Sequence, residues 1–112
     1  MSQLLESAVR AVVDRLARGE YRDAVARCDA SRLTADELRE VVLGYGRSLV
    51  VPPADAYENL DAVRISDPSR QAWSVRAPLW TREEGRSDLT LELTVVLDGD
   101  RPGIELDDLH VP

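Results

Sequence analysis

From Leu89 to Leu97 the chain alternates without a break. Leu89, Leu91, Leu93, Val95 and Leu97 share one parity, and Thr90, Glu92 and Thr94 fall on the other. Alternate residues take opposite faces only in an extended strand. The segment is therefore a strand with one apolar face, and the rest of the chain has to cover that face. Asp98-Gly99-Asp100-Arg101-Pro102-Gly103 then reads as a turn, and Ile104 and Leu106 begin a return strand. Its pattern changes phase, because the next apolar residues, Leu109 and Val111, have the opposite parity. All of them can face one core only if an extra residue is inserted, so the sequence predicts a β-bulge at Asp107–Asp108.

Upstream, Leu60–Ile65 reads as a strand and Asp67-Pro68-Ser69 as a turn. Gln71–Leu79 alternates, with Trp73, Val75, Ala77 and Leu79 on one face, and Pro78 argues for an edge or a strand end. Pro53–Tyr57 suits one helical turn, and Thr81–Gly85 a capped turn. The first fifty residues have helical spacing instead. Leu5, Val9, Val12, Val13 and Leu16 form a stripe widened by Leu4 and Ala8, with Ser2 as a cap and Gly19 as a left-handed stop. Tyr21, Ala24, Val25 and Cys28 line a second, short helix. A third begins at a capping box, Thr34 with Glu37, flanked by Leu33 and Leu38 as a staple; it continues through Val41, Val42 and Tyr45 and stops at Gly44 and Gly46. The expected fold is α+β over a single domain, 1–112. A helical part (1–50) packs on one face of a curved antiparallel sheet of three to four strands (51–112).

Composition excludes several chemistries. The chain has no lysine, so Schiff-base chemistry, a pyridoxal phosphate anchor and a P-loop are ruled out. Lacking Phe as well, and rich in Arg, Ala, Val and Leu, it has the composition of a high-GC bacterial protein. One His and one Cys cannot build the usual Cys/His zinc sets, and no cofactor or metal is expected. The lone Cys28 suits a reducing cytoplasm, and no apolar run reaches the ~20 residues of a membrane span. Residues 1–50 are charge-neutral, with eight acids and eight arginines. Residues 51–112, with thirteen acids and six arginines, carry the entire net charge of -7. Such a surface repels phosphate backbones, so no nucleic-acid partner is expected.

Four groups of residues carry candidate chemistry. Asp98, Asp100 and Gly103 have the start of a calcium loop, but Pro102 and Leu109 stand where ligands are needed, so a hairpin turn is expected. Asp108 and His110 are two apart on a strand and form a candidate acid/base pair, with no nucleophile beside them in sequence. Asp14, Tyr21 and Tyr57 are candidates for proton transfer in a cavity. The stretch Trp80–Asp88 joins an aromatic to alternating charges, and Trp80, Arg82, Glu83, Glu84 and Arg86 are the expected binding residues.

The segments RLTADELREVVLGYGRSLVVPP, WSVRAPLWTREEGRSDLTLEL and ELDDLHV resemble a family of small bacterial proteins classed only as a domain of unknown function. That resemblance spans nearly the whole chain and implies a self-contained domain. A second is to the cystatin-like or nuclear-transport-factor-like cone fold, which includes SnoaL-like enzymes. The opening helix running into Gly19-Glu20-Tyr21-Arg22 and the closing IELDDLHV are similar to its first and last elements. Pro102–Gly103 and the absence of a recognisable strand between the early helices depart from it. The cone fold implies a cavity between sheet and helices.

Together these point to a cytoplasmic, non-catalytic binding or protein-interaction module of an immunity-like or regulatory kind. Its partner would be a protein or a small molecule, and it would be a homodimer, since Val96 adds an apolar residue to the polar face. The alternative is a cone-fold (SnoaL-like) enzyme or small-molecule-binding protein with an Asp/Tyr/His cavity.

Overall fold

The alternation of the last third becomes two long strands, β5 (Gly85–Val96) and β6 (Gly103–His110), paired antiparallel across the Asp98–Pro102 turn. The computed structural model that shows this describes residues 3–58 and 60–112; the cap expected at Ser2 lies outside them. β4 (Ala72–Thr81) pairs antiparallel with the other edge of β5. The far edge of β4 carries two short strands in succession, β3 (Asp61–Arg64) against Trp73–Arg76 and β2 (Leu49–Val50) against Trp80–Thr81. On the opposite side β1 (Ala30–Ser31) lies parallel to β6, giving the order β1-β6-β5-β4-β2.

The α+β class is as expected, but the curled sheet has six strands rather than three or four, and it is mixed rather than purely antiparallel. The two unexpected strands are two residues long, too short to carry a period. Tertiary hydrogen bonds create β1. Asp29 N–H donates to the Ile104 carbonyl at 2.7 Å, Arg32 N–H to that of Leu106 at 2.9 Å, and Ile104 N–H to the Asp29 carboxylate at 2.8 Å. A strand therefore does lie between the early helices.

The helices α1 (Gln3–Ala17), α2 (Tyr21–Arg27) and α3 (Ala35–Tyr45) cover one face of the sheet. From α1, Leu5, Ala8, Val9, Val12, Val13 and Leu16 are buried; Leu4 falls outside the stripe and is exposed. Gly19 adopts φ +75°, where a β-carbon is costly, and so turns the chain into α2. The capping box of α3 forms in both directions, Glu37 N–H to Thr34 Oγ1 at 3.1 Å and Thr34 N–H to Glu37 Oε1 at 3.0 Å. α3 ends at Gly46, also at φ +75°, while Gly44 is helical. Cys28 packs beside this core and its Sγ donates to the Ala24 carbonyl. Burial pushes its thiol up to about 11, as befits a packing residue. No helix among the described residues is long and apolar enough to cross a membrane.

Two irregularities shape the sheet. In β6, Asp108 stands opposite Glu92 while Leu106 stands opposite Leu93, so Asp107 is the inserted residue of a bulge. Ile104, Leu106 and Leu109 can then all face the helices, and all three are buried. In β4–β5 the register shifts between Pro78 and Trp80. Pro78 is not at a strand end, since β4 runs three residues past it, but its side away from β5 is a local edge, as one of the two expected alternatives had it. It is tolerated because it stands between the segments paired to β3 and β2, where the ladder is already interrupted. On the other side, at the β4–β5 register shift, the Ser87 hydroxyl donates to the Leu79 carbonyl at 2.8 Å and accepts from Leu89 N–H.

Candidate functional site on the open face of the sheet

Because the helices take one face, the outward residues of β4, β5 and β6 meet no second layer among the described residues. Along β4 these are Arg76, Pro78 and Trp80; along β5, Thr90, Glu92 and Thr94. The bulge adds two consecutive aspartates from β6 to the same face. Asp107 accepts from the Thr94 hydroxyl at 2.7 Å, and Asp108 lies opposite Glu92. His110, opposite Thr90, follows on the same side.

The result is a cluster of three ionisable side chains. His110 Nε2 contacts Glu92 Oε2, and His110 Nδ1 lies 3.7 Å from Asp108 Oδ2. The Arg76 guanidinium approaches the other Glu92 oxygen, with Nε 3.6 Å from Oε1. The candidate pair Asp108–His110 is thus brought together, and Glu92 joins it. Sequence reasoning placed Glu92 on the outward face only. The available signal was the hairpin register: counting back from the Asp98–Pro102 turn puts Glu92 against the Asp107–Asp108 bulge.

Beside this cluster runs a groove of about 540 Å³, in the range of ligand-sized sites. Pro78, Trp80, Arg76, Arg86 and Thr90 form its floor and sides, and Asp55, Leu60 and Asp61 close it from the β3 side. Trp80 and Arg86 are directly opposed across β4 and β5. Among the described residues Arg86 makes no ion pair.

The five residues expected in the Trp80–Asp88 stretch separate into two roles. This stretch is the tip of the β4–β5 hairpin rather than a free loop. Trp80 and Arg86 face the groove, whereas two of the charges at the tip hold the end of α3 and the chain after it. Glu83 accepts from Ser48 N–H at 2.9 Å and from its hydroxyl at 3.0 Å. The backbone bond is the main reason its carboxyl is held below the usual range. Glu84 accepts from the Tyr45 hydroxyl with both oxygens, at 3.0 and 2.9 Å, and is bonded to Thr81. Arg82 is exposed, and its backbone N–H donates to the Ser48 carbonyl.

The third group is split. The Tyr57 hydroxyl, on a 3-10 turn at Ala54–Tyr57, donates to Asp14 Oδ1 at 3.0 Å, and Arg10 stacks over its ring at 4.5 Å. Burial first, then the negative charge of Asp14, raises the phenol well above its ordinary value. Tyr21 lies elsewhere, in a shallow depression with Asp23, Asp36 and Arg39 between the starts of α2 and α3. Where the cone fold would have its cavity, Val9, Val12, Leu91, Leu93 and Val95 are all fully buried against one another in one core. The Asp98 carboxylate accepts from Gln71 N–H at 2.8 Å, so it ties the turn to β4.

No curated protein and no solved structure shows significant similarity to the chain. A family model, by contrast, matches residues 13–112, from the middle of α1 through the whole sheet and so including every residue of the groove and the cluster. The chain belongs to the family described as a domain of unknown function, DUF7668.

Proposed function

We infer that this domain is a non-catalytic binding module whose working surface is the open face of the sheet, with the groove at Trp80 as its contact point. The observation that carries this is the pairing of Trp80 with Arg86, which has no ionic partner among the described residues, in a ligand-sized groove. A half-buried indole offers a large apolar contact at little entropic cost, and a guanidinium offers bidentate recognition of a carboxylate. The occupant that fits is a protein segment presenting an apolar side chain next to an Asp or Glu. Of the candidates for catalysis, the Asp14, Tyr21 and Tyr57 set does not assemble, since Tyr21 lies apart from the other two. Asp14 and Tyr57 are bonded to each other at the edge of a packed core.

Selection of random displayed peptides on the purified domain tests this reading. The expected sequences carry Leu, Phe or Trp beside an acidic residue, and their binding is lost in Trp80→Ala and Arg86→Glu variants that melt as the parent does. Peptides that bind both variants undiminished would place the contact elsewhere. Gel filtration of the same proteins tests the other occupant. A dimer that dissociates on Trp80→Ala would mean that a second copy fills the groove.

A further inference from the structure

The Glu92–Asp108–His110 cluster is built in a way that a simple ion-pair network does not require. Each carboxylate has one oxygen turned to the imidazole and the other to a different group, a hydrogen bond for Asp108 and a looser ion pair for Glu92. Asp108 Oδ1 accepts from Leu109 N–H at 2.8 Å, which leaves Oδ2 facing His110. Glu92 Oε1 faces Arg76, which leaves Oε2 against His110. A bond such as that from Leu109 N–H orients ligands in metal sites. The three residues stand on two adjacent strands whose register is fixed by the bulge, and one ligand atom from each lies within 4.8 Å of the others.

We propose that Glu92, Asp108 and His110 form a binding site for a first-row transition-metal dication such as Zn²⁺ or Co²⁺. Around one ion, with metal–ligand bonds of about 2.0–2.2 Å, the donor atoms sit roughly 3–3.5 Å apart. Nε2 faces Glu92 and Nδ1 faces Asp108, so the ring has to turn to present one nitrogen to an ion held by both carboxylates, a side-chain movement that leaves the strand register unchanged. One imidazole nitrogen and two carboxylate oxygens suit Zn²⁺, Co²⁺ or Mn²⁺ rather than Ca²⁺ or Mg²⁺, which take oxygen ligands. Two carboxylates and a neutral imidazole present two negative charges, matching a dication. Three protein ligands leave further coordination positions on the side open to solvent. The site uses none of the groove's anchor residues, so it stands or falls apart from the binding reading above.

The test uses the full chain free of any polyhistidine tag and the metal ion alone as probe. His110 is the only histidine, so the imidazole gives a single set of NMR resonances. Titration with Zn²⁺ is expected to shift those resonances to a one-to-one endpoint, and Co²⁺ to give the visible absorption of a bound ion. His110→Asn, Glu92→Gln and Asp108→Asn should each weaken binding by about tenfold or more, as loss of a ligand does, while Trp80→Ala leaves it unchanged. Millimolar Mg²⁺ should not compete. Imidazole resonances that do not move, or Zn²⁺ affinity that survives His110→Asn, would overturn the proposal. If a variant fails to fold, the resonances of the unaltered protein decide alone.

Discussion

Asp107 accepts a hydrogen bond from Thr94 at 2.7 Å although the two residues do not face each other in a regular ladder. The bond exists because Asp107 is the extra residue of the β6 bulge. It marks the point where the phase of the strand is reset, so that Leu109 turns inward while Asp108 and His110 turn outward. Deleting either Asp107 or Asp108 gives the same sequence, Glu-Leu-Asp-Leu-His, which alternates without a bulge. That variant should fold, with a stability loss of about 1–2 kcal/mol from the lost bond and altered twist. Urea denaturation measures it, and complete unfolding would show that the bulge is needed for more than phase.

Leu93 is fully buried at the centre of β5. Leu93→Asp places a carboxylate in the core without a partner, a change that costs about 4 kcal/mol or more and is expected to unfold a domain of this size. Far-UV circular dichroism reads the result, and a cooperative, soluble variant would mean that the faces of β5 are reversed.

The alternation at 89–97, the phase change at 107–108 and the capping box at Thr34 made most of this fold legible, since each depends on neighbours in the chain. β1 was not legible because its bonds come from Ile104 and Leu106, more than seventy residues away. Pro78 marked a local edge but not the strand end, for a related reason. Its meaning depended on where β2 and β3 pair. The site was half legible. Trp80, Arg86, Asp108 and His110 stood out by residue type, whereas Glu92 and Arg76 acquire a role only from cross-strand register.

Glu83 gives a pH dependence with a defined sign. Ser48 N–H lowers its pKa in the folded chain, so the Glu83–Ser48 contact stabilises above the ordinary value of 4.5 and is lost as pH falls through the depressed one. Glu83→Gln should therefore melt below the parent at pH 7, and the gap should shrink by pH 3. A gap independent of pH would contradict this assignment.

Tyr57 behaves in the opposite sense. Its raised pKa means that its contribution is complete below the ordinary phenol value of 10.0 and is lost as pH rises above it. In an alkaline titration followed by phenolate absorbance, the Tyr57 phenol should ionise only as the chain unfolds, so the step missing from Tyr57→Phe should coincide with unfolding. Tyr57→Phe leaves Asp14 without its donor and should cost about 1–3 kcal/mol. A phenolate step in the folded parent that Tyr57→Phe removes would contradict the bond to Asp14.

The claim that the open face is the working face is tested most directly by tryptophan fluorescence. In a Trp73→Phe variant Trp80 is the only tryptophan, and the peptide used is chosen free of tryptophan so that the signal comes from Trp80 alone. Titration with a peptide selected on the unaltered domain should change its emission saturably, and Arg86→Glu should abolish the change. Calorimetric binding of that peptide with no change in Trp80 emission would contradict the account.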